Sequence, residues 1–296
     1  MNTFLTLLLN GLSLGAIYAL IALGFAIIFK ASEVVSFMHG SLLLFGAYAI
    51  ARLAEPFGFY LGVLGGILLT AFVGFVVERV LINRLRGAAV ISLAIITIGV
   101  DIILVTELIR RIGSDILNVD HPWGGGVFRI GEIGITSNRA VAMVVASILI
   151  AMFFAAFKFS DWGVAMRANA EDGETASLMG IRPGRVSAVA WIVGASLAAI
   201  AGLFLVGAPT PGVQPGLQFV ALRAFPAAIL GGLDSTGGAL VGGLIIGLAE
   251  SFAAGYQDQI LFLGRGFGDV VPYVVMILVL LVRPSGLFGT KELTRV

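Results

Sequence analysis

The sequence predicts an all-α, polytopic integral membrane protein of about eight or nine transmembrane helices, some short or broken, and three observations carry that prediction. Hydrophobic residues make up 59% of the 296 positions and charged residues only 12%, where an ordinary soluble domain carries about 25% charged; mean hydropathy is +1.06. Apolar runs of about 20 residues recur along the chain, each long enough for a hydrocarbon layer roughly 30 Å thick. The 40 glycines are about twice the usual share of roughly 7%, and many fall inside the apolar runs, where small residues let helix backbones approach closely.

Taken in order, the runs place candidate spans near 5–29, 36–54, 59–83, 90–110, 138–158, 187–208, 217–232, 237–255 and 268–283 in a single transmembrane domain covering 1–296. The first follows Met1-Asn2-Thr3 without a basic leader and is too long for a signal-peptide core, so a retained helix is expected. The runs at 36–54 and 217–232 are short and interrupted, as re-entrant or broken helices are. Counting back from an inner C-terminus places Lys30, Arg79, Arg84, Arg86, Lys158, Arg167, Arg182, Arg185, Arg283, Lys291 and Arg295 inside, with a long outer loop at 111–137 flanked by Arg110, Arg111 and Arg139. That bias predicts an N-out, C-in orientation. "SFMHGSLLLFGAYA" (36–49) and "DSTGGALVGGLIIGLAE" (234–250) look like a loose internal echo, of the kind that marks paired interrupted segments in transporters.

The most polar stretch, "NAEDGETASLMGIRPGR" (169–185), lies in a loop spanning 159–186. Asn169 suits an N-cap, Glu171, Asp172 and Glu174 favour the first turns, and Gly180 followed by Pro183 suits a stop. A helix over 170–179 would be about 15 Å long, half a bilayer crossing, so it must lie outside the hydrocarbon. Thr175, Ala176, Leu178 and Met179 give it an apolar patch that water disfavours. Either the membrane domain itself or a partner protein covers that patch.

Inside the spans, Asp101 lies near the middle of the fourth run, where an ionised carboxylate facing lipid would cost at least about 2.5 kcal/mol. It is expected to face the interior, either toward substrate or as a hydrogen-bonded structural group, with Thr97 sharing its face four residues earlier. Ser36, His39 and Ser41 open the second run, where the histidine either meets substrate or caps a break. Glu78 and Arg79 are expected to support a loop, and Glu107 and Glu250 to sit cheaply at membrane boundaries.

Several functions are excluded. A net charge of +1 and the lack of a basic run argue against nucleic acid. With no cysteine, thiolate metal sites and thiol nucleophiles are out, no metal site is expected, and no His-Glu-x-x-His or Gly-x-Ser-x-Gly motif occurs. The lysines follow Phe29, Phe157 and Thr290, so none belongs to a Walker A loop. The chain is not expected to be an enzyme.

"RANAEDGETASLMGI" (167–181) resembles the cytoplasmic coupling loop of ABC-type branched-chain (hydrophobic) amino acid importer permeases. "VSFMHGSLLLFGAYA" (35–49) is similar to that family's second-helix signature, "ERVLINRLRG" (78–87) to its first inner loop, "AAILGGLDSTGGALVGGLIIGLAES" (227–251) to its late glycine-rich hairpin, and "LVRPSGLFG" (281–289) to its cytoplasmic exit. The family commonly reads Asn-Phe-Ala-His-Gly where this chain has Ser36-Phe37-Met38-His39-Gly40. The resemblance implies a permease subunit in the cell (inner) membrane moving a branched-chain or other hydrophobic amino acid, with urea or short amides as competing cargoes. It implies a second permease, two cytoplasmic ATP-binding subunits that hold ATP and Mg, and an extracytoplasmic solute-binding protein; no cofactor is expected in this chain. It assigns ATPase coupling to Arg167, Ala170, Glu171, Asp172, Thr175, Ala176, Leu178, Met179, Gly180 and Ile181, and leaves Ser36, His39, Ser41, Thr97 and Asp101 as candidates for the substrate path. A self-sufficient secondary transporter or channel is the rival class.

Overall fold

Each of the nine apolar segments holds one helix in the computed structural model, which describes residues 2–113, 116–130, 133–207, 212–259 and 266–290. These helices are α1 (Asn2–Ser32), α2 (His39–Phe57), α3 (Phe59–Val77), α4 (Val90–Ile112), α5 (Ser137–Phe159), α8 (Pro183–Leu205), α9 (Gln218–Gly231), α10 (Thr236–Gly255) and α11 (Val271–Val282), with α6 (Asp161–Glu171) and α7 (Gly173–Leu178) between the fifth and sixth. Among the described residues α1, α3, α4, α5, α8 and α10 are long and apolar enough to cross a membrane, whereas α9 and α11 are shorter. A small antiparallel hairpin, β1 (Val127–Ile130) with β2 (Ile133–Thr136), precedes α5. The basic residues Lys291 and Arg295 used for orientation lie outside the described residues.

The helices share two ends. At the hairpin end, Ser13 Oγ donates to Arg139 O at 3.0 Å and Ser251 Oγ to Leu7 O at 2.8 Å. At the other, Lys30 Nζ donates to Asp234 O at 3.0 Å and Asn169 Nδ2 to Ala31 O at 3.4 Å. We call this second end, which carries α6 and α7, the elbow end.

Two helices begin inside the layer. After α1 the chain turns back through the buried Val34, Ser36 and Met38, and α2 starts at His39, whose ring fills the space where Gly24 of α1 lacks a side chain. Gly24 lies about 12 Å in from the elbow end of α1 at 1.5 Å per residue. From there α2 runs to the hairpin end. The helix α9 does the reverse: it starts at Gln218, whose carbonyl oxygen lies 3.1 Å from the Cβ position of Gly40, and runs to the elbow end, where Leu230 and Gly231 accept from Leu287 N and Phe288 N. Gly40 is the position that lets the two starts touch.

Packing partners repeat in the same sense. As α1 packs on α10, α8 packs on α3; α2 packs on α8, α3 and α4 as α9 packs on α1, α10 and α11. Thus α1–α4 and α8–α11 form two halves of opposite direction, with α1 and α8 packed together at the centre. The echo between 36–49 and 234–250 does not mark this relation: it pairs α2 with α10, whereas α2 corresponds to α9 and α10 to α3. Shared glycine content produced that likeness. In α10, glycine serves close approach instead, since a Cβ on Gly247 would strike the Gly15 backbone and one on Gly243 would stand 2.5 Å from Ala19 Cα.

The polar segment departs from the expected single helix over 170–179. Asn169 is inside α6, which is capped by Ser160, its hydroxyl accepting from Gly163 N at 3.1 Å. Asp172 breaks the helix: its extended backbone ends α6, and its carboxylate caps α7 by accepting from Glu174 N at 3.1 Å and Thr175 N at 3.0 Å. Aspartate competes with helix in this way because its short side chain binds nearby backbone N–H groups. The stop at Gly180 is as expected, with φ of +89°.

Candidate translocation and docking sites

At the break before α2, a partner helix satisfies backbone groups that the break leaves without helical partners. Thr97 Oγ1 of α4 accepts from Phe37 N at 3.1 Å, and Asp101 Oδ1, one turn on, accepts from Ser41 N at 3.3 Å. Together they act as an N-cap supplied from another helix. Ser41 Oγ donates to Met38 O at 2.9 Å. The structure therefore brings Thr97, Asp101 and Ser41 together, as their spacing predicts for the first two. His39 turns elsewhere: fully buried, it packs 4.4 Å from the Phe25 ring of α1, and neither ring nitrogen has a partner among the described residues. Ser36 Oγ is likewise unpartnered.

At the elbow, α6 is held against α5 and α8. Gly163 sits where a Cβ would strike Phe157 O, Trp162 Nε1 donates to Val186 O at 3.3 Å, and Met166 is fully buried. Arg167 donates to Phe157 O and covers the Phe157 ring. The tip is bare, with Leu178 84% and Met179 81% exposed; Ala170, Glu171, Asp172, Thr175 and Gly180 are exposed too, and Ile181 is half-buried. Ala176 does not belong to the outward patch, because it points inward and is only 4% exposed. The Thr175 hydroxyl, at 2.6 Å, and the Thr175 and Glu174 amides hold the Asp172 carboxyl below the usual carboxylate range.

A third cluster escaped the sequence reading. Glu250, near the hairpin end of α10, is buried within the protein, 7% exposed, accepting from Tyr18 Oη at 2.7 Å and from Arg223 Nη1 at 3.3 Å. Arg223 also pairs with Asp269 at 2.9 Å. A lone arginine inside the apolar run "QFVALRAFPAAILG" was the available signal. Glu107, by contrast, pairs with its own helix neighbour Arg110 at 2.7 Å, and Glu78 is buried 3.7 Å from Arg86. In the loop before the hairpin, His121 stacks on Trp123 with ring centres 5.0 Å apart and meets Val206 O at 3.1 Å; burial pushes its pKa down.

A multi-pass helical membrane protein, two opposed halves with broken helices meeting inside the layer, and a bare polar elbow at one end define a solute-moving membrane subunit. Residues 7–280 match the family described as branched-chain amino acid transport system / permease component, and the chain belongs to that family. It is 34% identical to the high-affinity branched-chain amino acid transport system permease protein LivH of Escherichia coli (strain K12), over 99% of this chain and 98% of that protein. It is 33% identical to the corresponding permease protein BraD of Pseudomonas aeruginosa, with the same coverage, and 30% identical to a probable LivH of Methanocaldococcus jannaschii over 93% and 90%. Among solved structures, PsaBC from Streptococcus pneumoniae in complex with Fab shares the fold, with TM-score 0.51 and 14% identity over 93% of this chain and 91% of that one.

Proposed function

We propose that this chain is the membrane-spanning permease of an ABC importer in the cell (inner) membrane, carrying a branched-chain or other hydrophobic amino acid inward while partner subunits hydrolyse ATP. The observation that carries the reading is the elbow: a polar, capped pair of helices, fixed at its base to α5 and α8, that leaves Leu178 and Met179 bare. Apolar side chains so exposed at the tip of a charged segment fit a protein partner. On this reading one of two ATP-binding subunits, holding ATP and Mg, docks there and the other docks on the second permease, and their closure pushes on the membrane helices through α6.

The elbow end is then cytoplasmic. Lys30, Arg86, Lys158, Arg167, Arg182 and Arg185 gather at it, in keeping with the positive-inside bias, which leaves the hairpin end and the start of α1 outside for a solute-binding protein. A second permease, identical or related, completes the pathway. The test is reconstitution with the cognate ATPase and binding protein. Leu178→Glu with Met179→Glu should leave the permease inserted yet weaken ATPase association by about tenfold or more, as loss of a buried anchor does at an interface. Amino-acid uptake by the chain alone, driven by an ion gradient, would sink the proposal.

A further inference from the structure

Resting on the amino-acid importer reading, we infer that the cavity between α1, α5, α9 and α10 is a substrate subsite that recognises the zwitterionic backbone of a free amino acid. The cavity, about 420 Å³, lies in the half of the layer nearer the hairpin end and is lined by Asn10, Arg139, Arg223, Glu250 and Asp269 together with Leu14 and Ile17.

Its charges balance in number but not in placement. Arg223 serves both carboxylates, at 3.3 Å from Glu250 and 2.9 Å from Asp269, which leaves one negative charge over on that wall. Arg139, half-buried, makes no ion pair among the described residues. Asp269 is 61% exposed in its side chain, so the cavity opens at the hairpin end, while the buried Glu250 shares its guanidinium and Arg139 lines the same cavity without a carboxylate, an arrangement that a ligand carrying both charges would complete. An α-amino acid supplies both: its carboxylate suits the guanidinium fork of Arg139, and its ammonium suits the Glu250–Asp269 wall. The half-buried Asn10 amide, without a partner among the described residues, can add a hydrogen bond. Leu14 and Ile17, on the same face of α1, offer apolar surface to an aliphatic side chain. Tyr18 fixes Glu250 from behind at 2.7 Å.

The test uses the assembled transporter in nanodiscs without its solute-binding protein, probed with radiolabelled L-leucine. Saturable leucine binding is expected, with leucinol, which lacks the carboxylate, and 4-methylpentanoate, which lacks the ammonium, competing about tenfold more weakly or worse, the scale of one hydrogen bond to a charged group. Arg139→Gln should weaken leucine binding by a similar factor and erase the preference for leucine over leucinol, and Arg139→Lys should restore part of it. If Arg139→Gln fails to assemble, Leu14→Trp, which fills the cavity from a neutral position, should abolish binding. Equal binding of leucine and leucinol by the wild type, leucine binding unaffected by both variants, or a phospholipid retained by the wild type and lost from Arg139→Gln in native mass spectrometry would overturn the inference. So would a complex that imports leucine from its binding protein yet binds none alone, an outcome that spares the importer reading. Failure of the complete system to import any amino acid would bring down both.

Discussion

Asp101 shows what a carboxylate is doing in the middle of an apolar helix. Its oxygen lies 3.3 Å from Ser41 N, so it supplies from α4 the cap that the sequence of α2 lacks; Met38, in the N-cap position, makes no side-chain cap bond. Replacing a capping acceptor costs about 1 kcal/mol, and an N–H stranded away from water raises that toward the top of the range of about 1–3 kcal/mol. Asp101→Leu should therefore lower the melting temperature of the detergent-purified protein, while Asp101→Asn, which keeps a carbonyl acceptor, should lose much less. Equal melting temperatures for Asp101→Leu and the wild type would remove the capping role. The sequence pointed to Asp101 and Thr97 because a charge at that depth and a hydroxyl one turn away stand out against leucine and isoleucine. It could not point to Ser41 N as the target, since a backbone group orphaned by a helix break has no signature of its own.

At the scale of elements, the apolar runs were enough to place the helices of the membrane layer, six of them long enough to cross it because a span of lipid demands about 20 apolar residues, while α9 and α11 stand out only as shorter apolar runs. The elbow was legible in composition but not in shape. Asn169 and Asp172 are both good caps, and the choice between them depends on α6 docking through Trp162 and Met166, contacts no local pattern announces. The pairing of Glu250 with Arg223 was hidden for the same reason, each lying on a different helix of the second half. The Asp172 cap makes a pH prediction. Its folded pKa lies below the unfolded value of about 3.9, so the order it gives α7 is complete above that value and is lost as pH falls through the lower, folded one. Amide exchange at Glu174 and Thr175, corrected for intrinsic rates, should rise in that acidic window, and Asp172→Ala should show the faster exchange at neutral pH. Exchange in Asp172→Ala that matches the wild type at neutral pH would mean that α7 does not depend on this cap.

Across the whole molecule, the starts of the two broken helices, α2 and α9, meet between two densely packed blocks. Long helices α1 and α8 meet at the centre, and close glycine contacts lock α10 of one half to α1 of the other, so the densely packed blocks are α1 with α9–α11 and α8 with α2–α4; packing of that density moves as a block rather than deforming. Two opposed blocks that must open alternately to either side have to shift against one another where their broken helices meet. Gly40 stands at that meeting, its Cβ position 3.1 Å from Gln218 O, tight enough that a side chain there must push α9 away. Gly99 of α4 has nothing within 4 Å of the same position and serves as a control. Gly40→Leu should insert normally but cost about 1–3 kcal/mol of stability by overpacking, and reduce uptake in reconstituted vesicles far more than that loss explains, because it fixes the spacing of the two blocks. Gly40→Ala should reduce uptake less and Gly99→Leu should leave it near wild type. Uptake that merely tracks the melting temperature across these three variants would show that the α2–α9 contact is packing alone, and that the blocks move about some other point.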